Sequence, residues 1–112
     1  MGDALGLLRG TLDLLILKAL STGEKHGYAV SEWIDGATDG SLLVEEGTLY
    51  PALHRLARRG LVSAEWGVSD NNRRAKYYAL TVDGERHLSQ QSTTWRAYSD
   101  AMDKALSEEG SA

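Results

Sequence analysis

Apolar positions in the first third of the chain follow a helical spacing. Thr11–Leu20 is apolar on nearly every side and has few β-branched residues, which favours a helix over a buried strand. A second helix is predicted over Gly27–Ala37, where Val30, Trp33 and Ile34 share one side that faces the core. Because the first helix is apolar on both faces, one face is expected to pack on its own domain and the other on a partner. This pattern is the first indication of an oligomer.

A third helix is predicted over residues 45–60. Four apolar residues share its inner face: Leu49, Ala52, Leu53 and Leu56. Pro51 indicates where the helix begins, because a proline in a helix interior costs about 3 kcal/mol. With Thr48 as N-cap, Pro51 would lie in the first turn, where its missing N–H has no helical partner to lose. The sequence therefore predicts a regular helix that begins near Thr48 and ends at Gly60.

After the third helix, apolar and polar residues alternate. Val62–Val68 is predicted to be a strand whose apolar side chains, Trp66 among them, face the core. Residues 69–72 (SDNN) favour a turn. Residues 75–80 are predicted to form a second strand with Tyr78 facing inward. Two strands joined by a polar tip make a hairpin.

A long final helix is predicted after the hairpin. Thr81 is a suitable N-cap, and the acidic residues that follow it interact favourably with the N-terminal end of a helix. Leu88, Trp95 and Met102 recur at heptad spacing along this helix, which is typical of a seam between two helices.

The order of these elements predicts a mainly α fold with a small β-hairpin (α+β). It describes a winged helix-turn-helix over residues 1–80, followed by a C-terminal dimerisation helix and a short tail over residues 81–112. The third helix of such a fold is about as wide as the major groove of DNA. Its polar face is expected to present Thr48, Tyr50 and Arg55 to the edges of the bases.

The net charge of −4 conceals a basic region. Residues 54–80 hold six basic side chains against two acidic ones, whereas the segments before and after are acidic. A local basic footprint is what meets a phosphate backbone. Arg73, Arg74 and Lys76 are therefore predicted to lie along the DNA backbone and to neutralise phosphates. The alternative interpretation is that they form a solvated face.

Several functional classes are excluded by what the sequence lacks. The 112 residues include no cysteine, which excludes disulfides and cysteine-ligated metals. No apolar stretch approaches the roughly 20 residues of a membrane span, and no signal-peptide pattern is present, so a cytoplasmic protein is expected. The three histidines lie on separate elements without metal-ligand spacing, and no catalytic motif occurs. The sequence therefore predicts neither an enzyme nor a cofactor or metal site.

Four runs of the sequence resemble the PadR family of transcriptional regulators. They are GTLDLLILKAL (residues 10–20), HGYAV (26–30), EGTLYPALHRLARRGLV (46–62) and NNRRAKYYALTVDG (71–84). The resemblance extends in register over about residues 7–88. It implies a winged-helix homodimer, usually a repressor, that binds a near-palindromic operator in double-stranded DNA. It also implies, for many members, release by a small and often aromatic effector.

The resemblance assigns roles to particular positions. The DNA-reading helix of the family maps onto residues 48–59 and its wing onto residues 66–80. Tyr28, next to Gly27, takes the position of a tyrosine that lies near phosphates. A chain with one C-terminal helix resembles the short members of the family, in which a tryptophan midway along that helix pairs with its twin around flat drugs. Trp95 falls at that place, so the resemblance implies either an effector site or dimer packing there.

Two functional hypotheses follow. The first is a homodimeric DNA-binding transcriptional repressor, in which residues 7–20 of one chain pack against residues 88–106 of its partner. The predicted DNA-contact residues are Tyr28, Thr48, Tyr50, Arg55, Arg73, Arg74 and Lys76. The second hypothesis is a winged-helix module for protein interaction, without specific DNA binding, in which the basic hairpin is only solvated.

Overall fold

The computed structural model describes residues 10–107 as four helices and a small antiparallel sheet. The elements are α1 (Thr11–Leu20), β1 (Lys25–His26), α2 (Gly27–Ala37), α3 (Glu46–Arg58), β2 (Val62–Val68), β3 (Arg74–Leu80) and α4 (Val82–Leu106). The strands are ordered β1–β3–β2 in the sheet. This architecture confirms the predicted α+β winged-helix fold with one appended C-terminal helix.

The core lies between α1, α2, α3 and the base of the hairpin formed by β2 and β3. Its buried side chains are Ile16, Leu17, Ala19, Leu20, Val30, Ile34, Val44, Leu49, Ala52, Leu53, Leu56, Leu61, Val62 and Tyr78. Trp33 packs against them from α2. The inner faces predicted for α2 and α3 are therefore confirmed. Residues 7–9, which belong to the predicted dimer contact, lie outside the described part of the chain.

A two-residue strand that the sequence did not reveal anchors the start of α2. In β1, Lys25 pairs with Tyr78 and His26 pairs with Tyr77 of β3. His26 is also the N-cap of α2, because its Nδ1 accepts a hydrogen bond of 3.2 Å from the N–H of Ala29. The strand and the cap together hold the first turn of α2 beside the hairpin.

The third helix begins earlier than predicted. A start near Thr48, with Thr48 as N-cap, is wrong: α3 begins at Glu46, after Glu45 as N-cap. The N–H groups of Thr48 and Leu49 both bond to the carbonyl of Glu45, at 3.0 and 2.9 Å, so the first turn closes before Pro51 is reached. Pro51 lies inside the helix on its exposed side. There water can reach the carbonyl that the missing N–H of proline leaves without a donor.

Both predicted strands of the hairpin are present, but one inward-facing residue was assigned wrongly. The register runs outward to a pair between Val68 and Arg74 nearest the tip. Tyr78 is buried, as predicted. Trp66 is not a core residue, since 59% of its surface is exposed, and Val68 is exposed too. Alternation identified the correct side of the strand, but the helical core covers only the base of that side.

Side-chain hydrogen bonds of Thr81 connect the start of the last helix to the end of α3. Thr81 caps α4 as predicted: its Oγ1 accepts a hydrogen bond of 3.0 Å from the N–H of Gly84 and donates one of 2.7 Å to the carbonyl of Gly60. Gly60 has a φ of +76°, which terminates the helix before it. Beyond Leu88, most side chains of α4 are exposed. None of the helices within residues 10–107 combines the length and hydrophobicity of a bilayer-crossing segment.

Candidate nucleic-acid interface

A groove of about 1070 Å³ opens between the hairpin, β1 and the exposed sides of α2 and α3. We call it the wing groove. Five of the seven predicted DNA-contact residues line it: Tyr28, Tyr50, Arg73, Arg74 and Lys76. They come from three separate elements, because Tyr28 lies in the first turn of α2, Tyr50 on α3 and the basic residues on the hairpin. Thr48 and Arg55 lie on α3 but do not line this groove.

The tip of the hairpin presents two arginines with uncompensated charge. The loop is closed by a hydrogen bond of 2.7 Å from the N–H of Ser69 to the carbonyl of Arg73, and Asn72 adopts a φ of +60° within it. Arg73 and Arg74 are both exposed. Across residues 10–107, neither has a carboxylate within ion-pairing distance. Their positive charges are therefore available to an anionic ligand.

Tyr50 on α3 packs against Gly27 at the start of α2. It is half-buried, and a Cβ placed on Gly27 would lie only 2.6 Å from its Oη. A side chain at position 27 would therefore displace the phenol ring of Tyr50. Burial raises the pKa of the neighbouring Tyr78 phenol above its ordinary value, and Tyr50 raises that pKa further. Tyr50 thus has a structural contact in the free protein as well as one face on the wing groove.

Arg55 interacts with α1 in the free protein. Its Nη2 lies 3.0 Å from Oδ1 of Asp13, and Nη1 of Arg59 lies 3.9 Å from Oδ2 of the same carboxylate. Because these side chains are partly exposed, solvent screening leaves each pair a small contribution to stability. The pairing nevertheless directs the Arg55 guanidinium toward α1. Contact between Arg55 and a phosphate would compete with Asp13 for this guanidinium.

The outward side of α3 is open to solvent along its length. Exposed residues recur on it at helical spacing: Thr48, Pro51, His54, Arg55 and Arg58. His54 follows Tyr50 by one turn and also lines the wing groove. Arg58 has no ion-pair partner within the described residues. The face predicted to enter a DNA groove is therefore unobstructed by the rest of the described chain.

Trp66 is a wing-groove residue that the sequence interpretation assigned to the core instead. It lines the groove beside Arg74 and Lys76, and the guanidinium carbon of Arg74 lies 4.5 Å from the centre of its ring. The register of the two predicted strands could have indicated that Trp66 is exposed. In the observed register Trp66 lies opposite Lys76, so that a basic side chain rather than an apolar one faces the indole.

A second groove, of about 610 Å³, lies between α1 and α4. Trp95 lines it and is 38% exposed, and the ring of Tyr98 lies 6.3 Å from that of Trp95. Asp13 and Arg59 line the same groove. It therefore combines two aromatic rings with charged groups from the ion pair between α1 and α3. We call it the helical groove.

The three histidines have separate surroundings. His26 caps α2 and meets the ring of Tyr77 edge-on at 5.6 Å. His54 lies on the exposed side of α3, and His87 lies in the helical groove. No group of three potential metal ligands comes together among residues 10–107.

Comparison with known proteins identifies the family. The model of the transcriptional regulator PadR-like family matches residues 16–90 of this chain. The chain belongs to the PadR-like family. The resemblance seen in the sequence motifs is thereby confirmed, and the matched residues include the second to fourth motifs and every element of the wing groove. As a PadR-like transcriptional regulator, the protein is not an enzyme.

Known structures and sequences agree with this identification. A transcriptional regulator from Clostridium thermocellum has a similar structure, with a TM-score of 0.80, 30% identity, and coverage of 88% of this chain and 96% of the other. A PadR family transcription regulator from Clostridium difficile has a TM-score of 0.75 and 29% identity, and the match covers 88% of this chain and 100% of the other. Uncharacterized protein X of Lysinibacillus sphaericus is 34% identical over 98 residues, which cover 87% of this chain and 89% of that protein.

Proposed function

We propose that this PadR-like regulator is a cytoplasmic homodimer that binds a near-palindromic operator in double-stranded DNA and represses transcription. One observation carries the proposal: the wing groove brings unpaired basic side chains of the hairpin together with Tyr28 of α2 and Tyr50 of α3. Positive charge beside an open helix face fits a phosphate backbone next to the major groove. In this arrangement residues 1–80 bind DNA and residues 81–112 hold the dimer.

Each part of the interface has a distinct task in this proposal. The outward side of α3 enters the major groove, where Thr48 and Tyr50 meet base edges. Arg55 joins them by exchanging its ion pair with Asp13 for a contact with DNA. Arg73, Arg74 and Lys76 follow the adjacent phosphates, and Tyr28 contacts a phosphate near the first turn of α2. Phosphate contacts set orientation and affinity, whereas base contacts set sequence preference.

The experiment that tests the function is a gel shift across a salt series. The probe is the double-stranded DNA immediately upstream of the gene for this chain, with a mixed-sequence duplex of equal length for comparison. Binding should favour the upstream DNA, and the affinity for both should fall steeply as salt rises, because bound phosphates release counterions. Failure to shift either duplex at low salt would favour the alternative function, a winged-helix module for protein interaction.

The dimer is supported by apolar side chains along α4. Trp95, Tyr98, Met102 and Leu106 are all large and exposed, and the heptad spacing of Trp95 and Met102 suits a partner helix. Such a row of apolar residues in water is typical of a surface that associates with another chain.

Sedimentation at micromolar concentration tests the dimer. We expect the mass of two chains for the unaltered protein and a shift toward one chain for Tyr98→Glu, because an unpaired carboxylate would be buried in the interface. Gln90→Glu adds the same charge at another exposed position of α4 and should leave the mass unchanged. A single-chain mass for the unaltered protein would remove the dimer from the proposal.

Effector control is proposed at Trp95. The helical groove supplies an exposed indole close to the ring of Tyr98, which suits a planar aromatic molecule. We expect members of a panel of planar aromatic dyes to quench the tryptophan emission of the chain and Trp95→Phe to abolish that quenching. Quenching that persists in Trp95→Phe would assign the dye to another site.

A further inference from the structure

The hairpin carries a large apolar side chain in water. Trp66 is 59% exposed and does not belong to the hydrophobic core of the described residues. Removing apolar surface from water is favourable. A ligand that covers this exposed indole removes apolar surface from water, and that burial stabilises the complex. Trp66 is distant from the exposed apolar row of α4 in sequence and belongs to a different groove.

Two basic side chains frame this indole. The guanidinium carbon of Arg74 lies 4.5 Å from the ring centre, and Nζ of Lys76 lies 5.8 Å from it. Both distances are within the range of a cation–π interaction. The register explains the arrangement, because Lys76 is directly opposite Trp66 and Arg74 is two residues closer to the tip. The wing thus presents an apolar ring bordered by positive charge.

The chemistry of this surface selects its ligand. An apolar ring between two cations complements an apolar group between two anions. A DNA strand has that pattern, since each deoxyribose lies between two phosphates. Trp66 also faces the wing groove, together with Tyr28 and Tyr50.

We propose that Trp66 is a DNA-contact residue whose ring packs on deoxyribose while Arg74 and Lys76 bind the flanking phosphates of the same strand. The inference rests on the proposed function and adds an apolar contact to the charged ones. Because deoxyribose is the same in every nucleotide, this contact raises affinity for all duplexes and carries no sequence preference. Because indole is uncharged, it adds affinity without adding to the salt dependence.

The test measures the anisotropy of a labelled mixed-sequence duplex as protein is added. Trp66→Ala should weaken binding by about tenfold for each protomer that contacts the duplex, and so by about a hundredfold for a dimer, with the slope of affinity against salt nearly unchanged. Trp66→Tyr should restore most of the affinity, since it retains a ring. Val68→Ala, two residues along the same side of β2 and also exposed, is the control and should bind as the unaltered chain does.

Tryptophan emission, recorded in the same titration, reports on the ring directly. Emission of the unaltered chain should change in step with the anisotropy, and acrylamide should quench it less when DNA is bound. Trp66→Tyr keeps Trp33 and Trp95 and should show neither effect.

The outcomes separate the two proposals. DNA binding that raises the anisotropy while Trp66→Ala binds as tightly as the unaltered chain would overturn the contact and leave the proposed function intact. Absence of binding by the unaltered chain would overturn both. An emission change that appears on raising the protein concentration without DNA, and that is present in the unaltered chain but absent in Trp66→Tyr, would mean that a second copy of the chain covers the ring, which also overturns the contact.

Discussion

Replacing Arg73 and Arg74 together with alanine is expected to weaken binding to every duplex and to flatten its dependence on salt. Both side chains are exposed at the wing tip and have no carboxylate partner among residues 10–107. Their full charge is therefore available to phosphates. In a dimer the double variant loses four phosphate contacts, which should reduce the slope of log affinity against log salt by about 3 to 4.

The loss of affinity caused by the double variant should be greatest at low salt, where counterion release contributes most to binding. The ratio of affinities for upstream and mixed-sequence DNA should change little, because contacts to phosphate do not read sequence. Gel shifts of both duplexes at several salt concentrations measure both quantities. The variant is folded if its circular dichroism matches that of the unaltered chain.

A matched control is available on α4. Arg86→Ala with Arg96→Ala removes the same charge at exposed positions outside the wing groove, one of them in a screened pair with Asp83. This control variant should keep most of the dependence of log affinity on log salt that the unaltered chain shows. Equal losses in the two double variants would attribute the effect to net charge and contradict the role of the wing. An unchanged affinity of the wing variant at all salt concentrations would remove the wing from the interface altogether.

Gly84→Ala is expected to destabilise the fold more than any other single change described above. Gly84 is buried in the first turn of α4, where a Cβ would overlap the backbone carbonyl oxygen of Leu61 and lie 2.9 Å from Cδ1 of Leu80. The backbone cannot move aside cheaply, because the same carbonyl of Leu61 accepts a hydrogen bond of 3.2 Å from the N–H of Thr81. Overpacking of this kind costs about 3 kcal/mol.

Urea unfolding followed by circular dichroism measures this cost. Gly36→Ala is the control, since position 36 lies inside α2 and a Cβ there meets nothing within 4 Å. That substitution should stabilise the protein by about 0.5 to 1 kcal/mol, because alanine favours the helix over the unfolded chain. Equal stabilities of the unaltered chain and Gly84→Ala would show that α4 can shift away from the hairpin without loss.

The junction around Gly84 also matters for the proposed DNA contacts. Thr81 bonds to the carbonyl of Gly60 at the end of α3 and caps α4 at the same time. The helix that is proposed to read DNA and the helix that is proposed to form the dimer therefore meet at one short segment. The spacing of two reading helices in a dimer depends on the angle that this segment sets.

Local patterns were sufficient for the existence of the four helices, for the two hairpin strands and for most of the core, but not for β1 or for the start of α3. Periodicity placed α1 and α2 at their observed bounds, and alternation placed both strands of the hairpin, because side-chain spacing along a helix or strand follows from backbone geometry alone. Thr81 was recognised as an N-cap for the same reason, since capping depends on residues only three positions apart.

Contacts between distant residues were decided by the tertiary structure. The sequence alone contained the basic segment, the motifs of the PadR-like family and the inner faces of the helices. It did not contain the partnership of Arg55 with Asp13, the pairing of Lys25 with Tyr78 or the exposure of Trp66. Each of these depends on which part of a helix or strand another element happens to cover. Spacing along the chain determines which way a side chain points, but only the packing of the whole domain determines what it meets there.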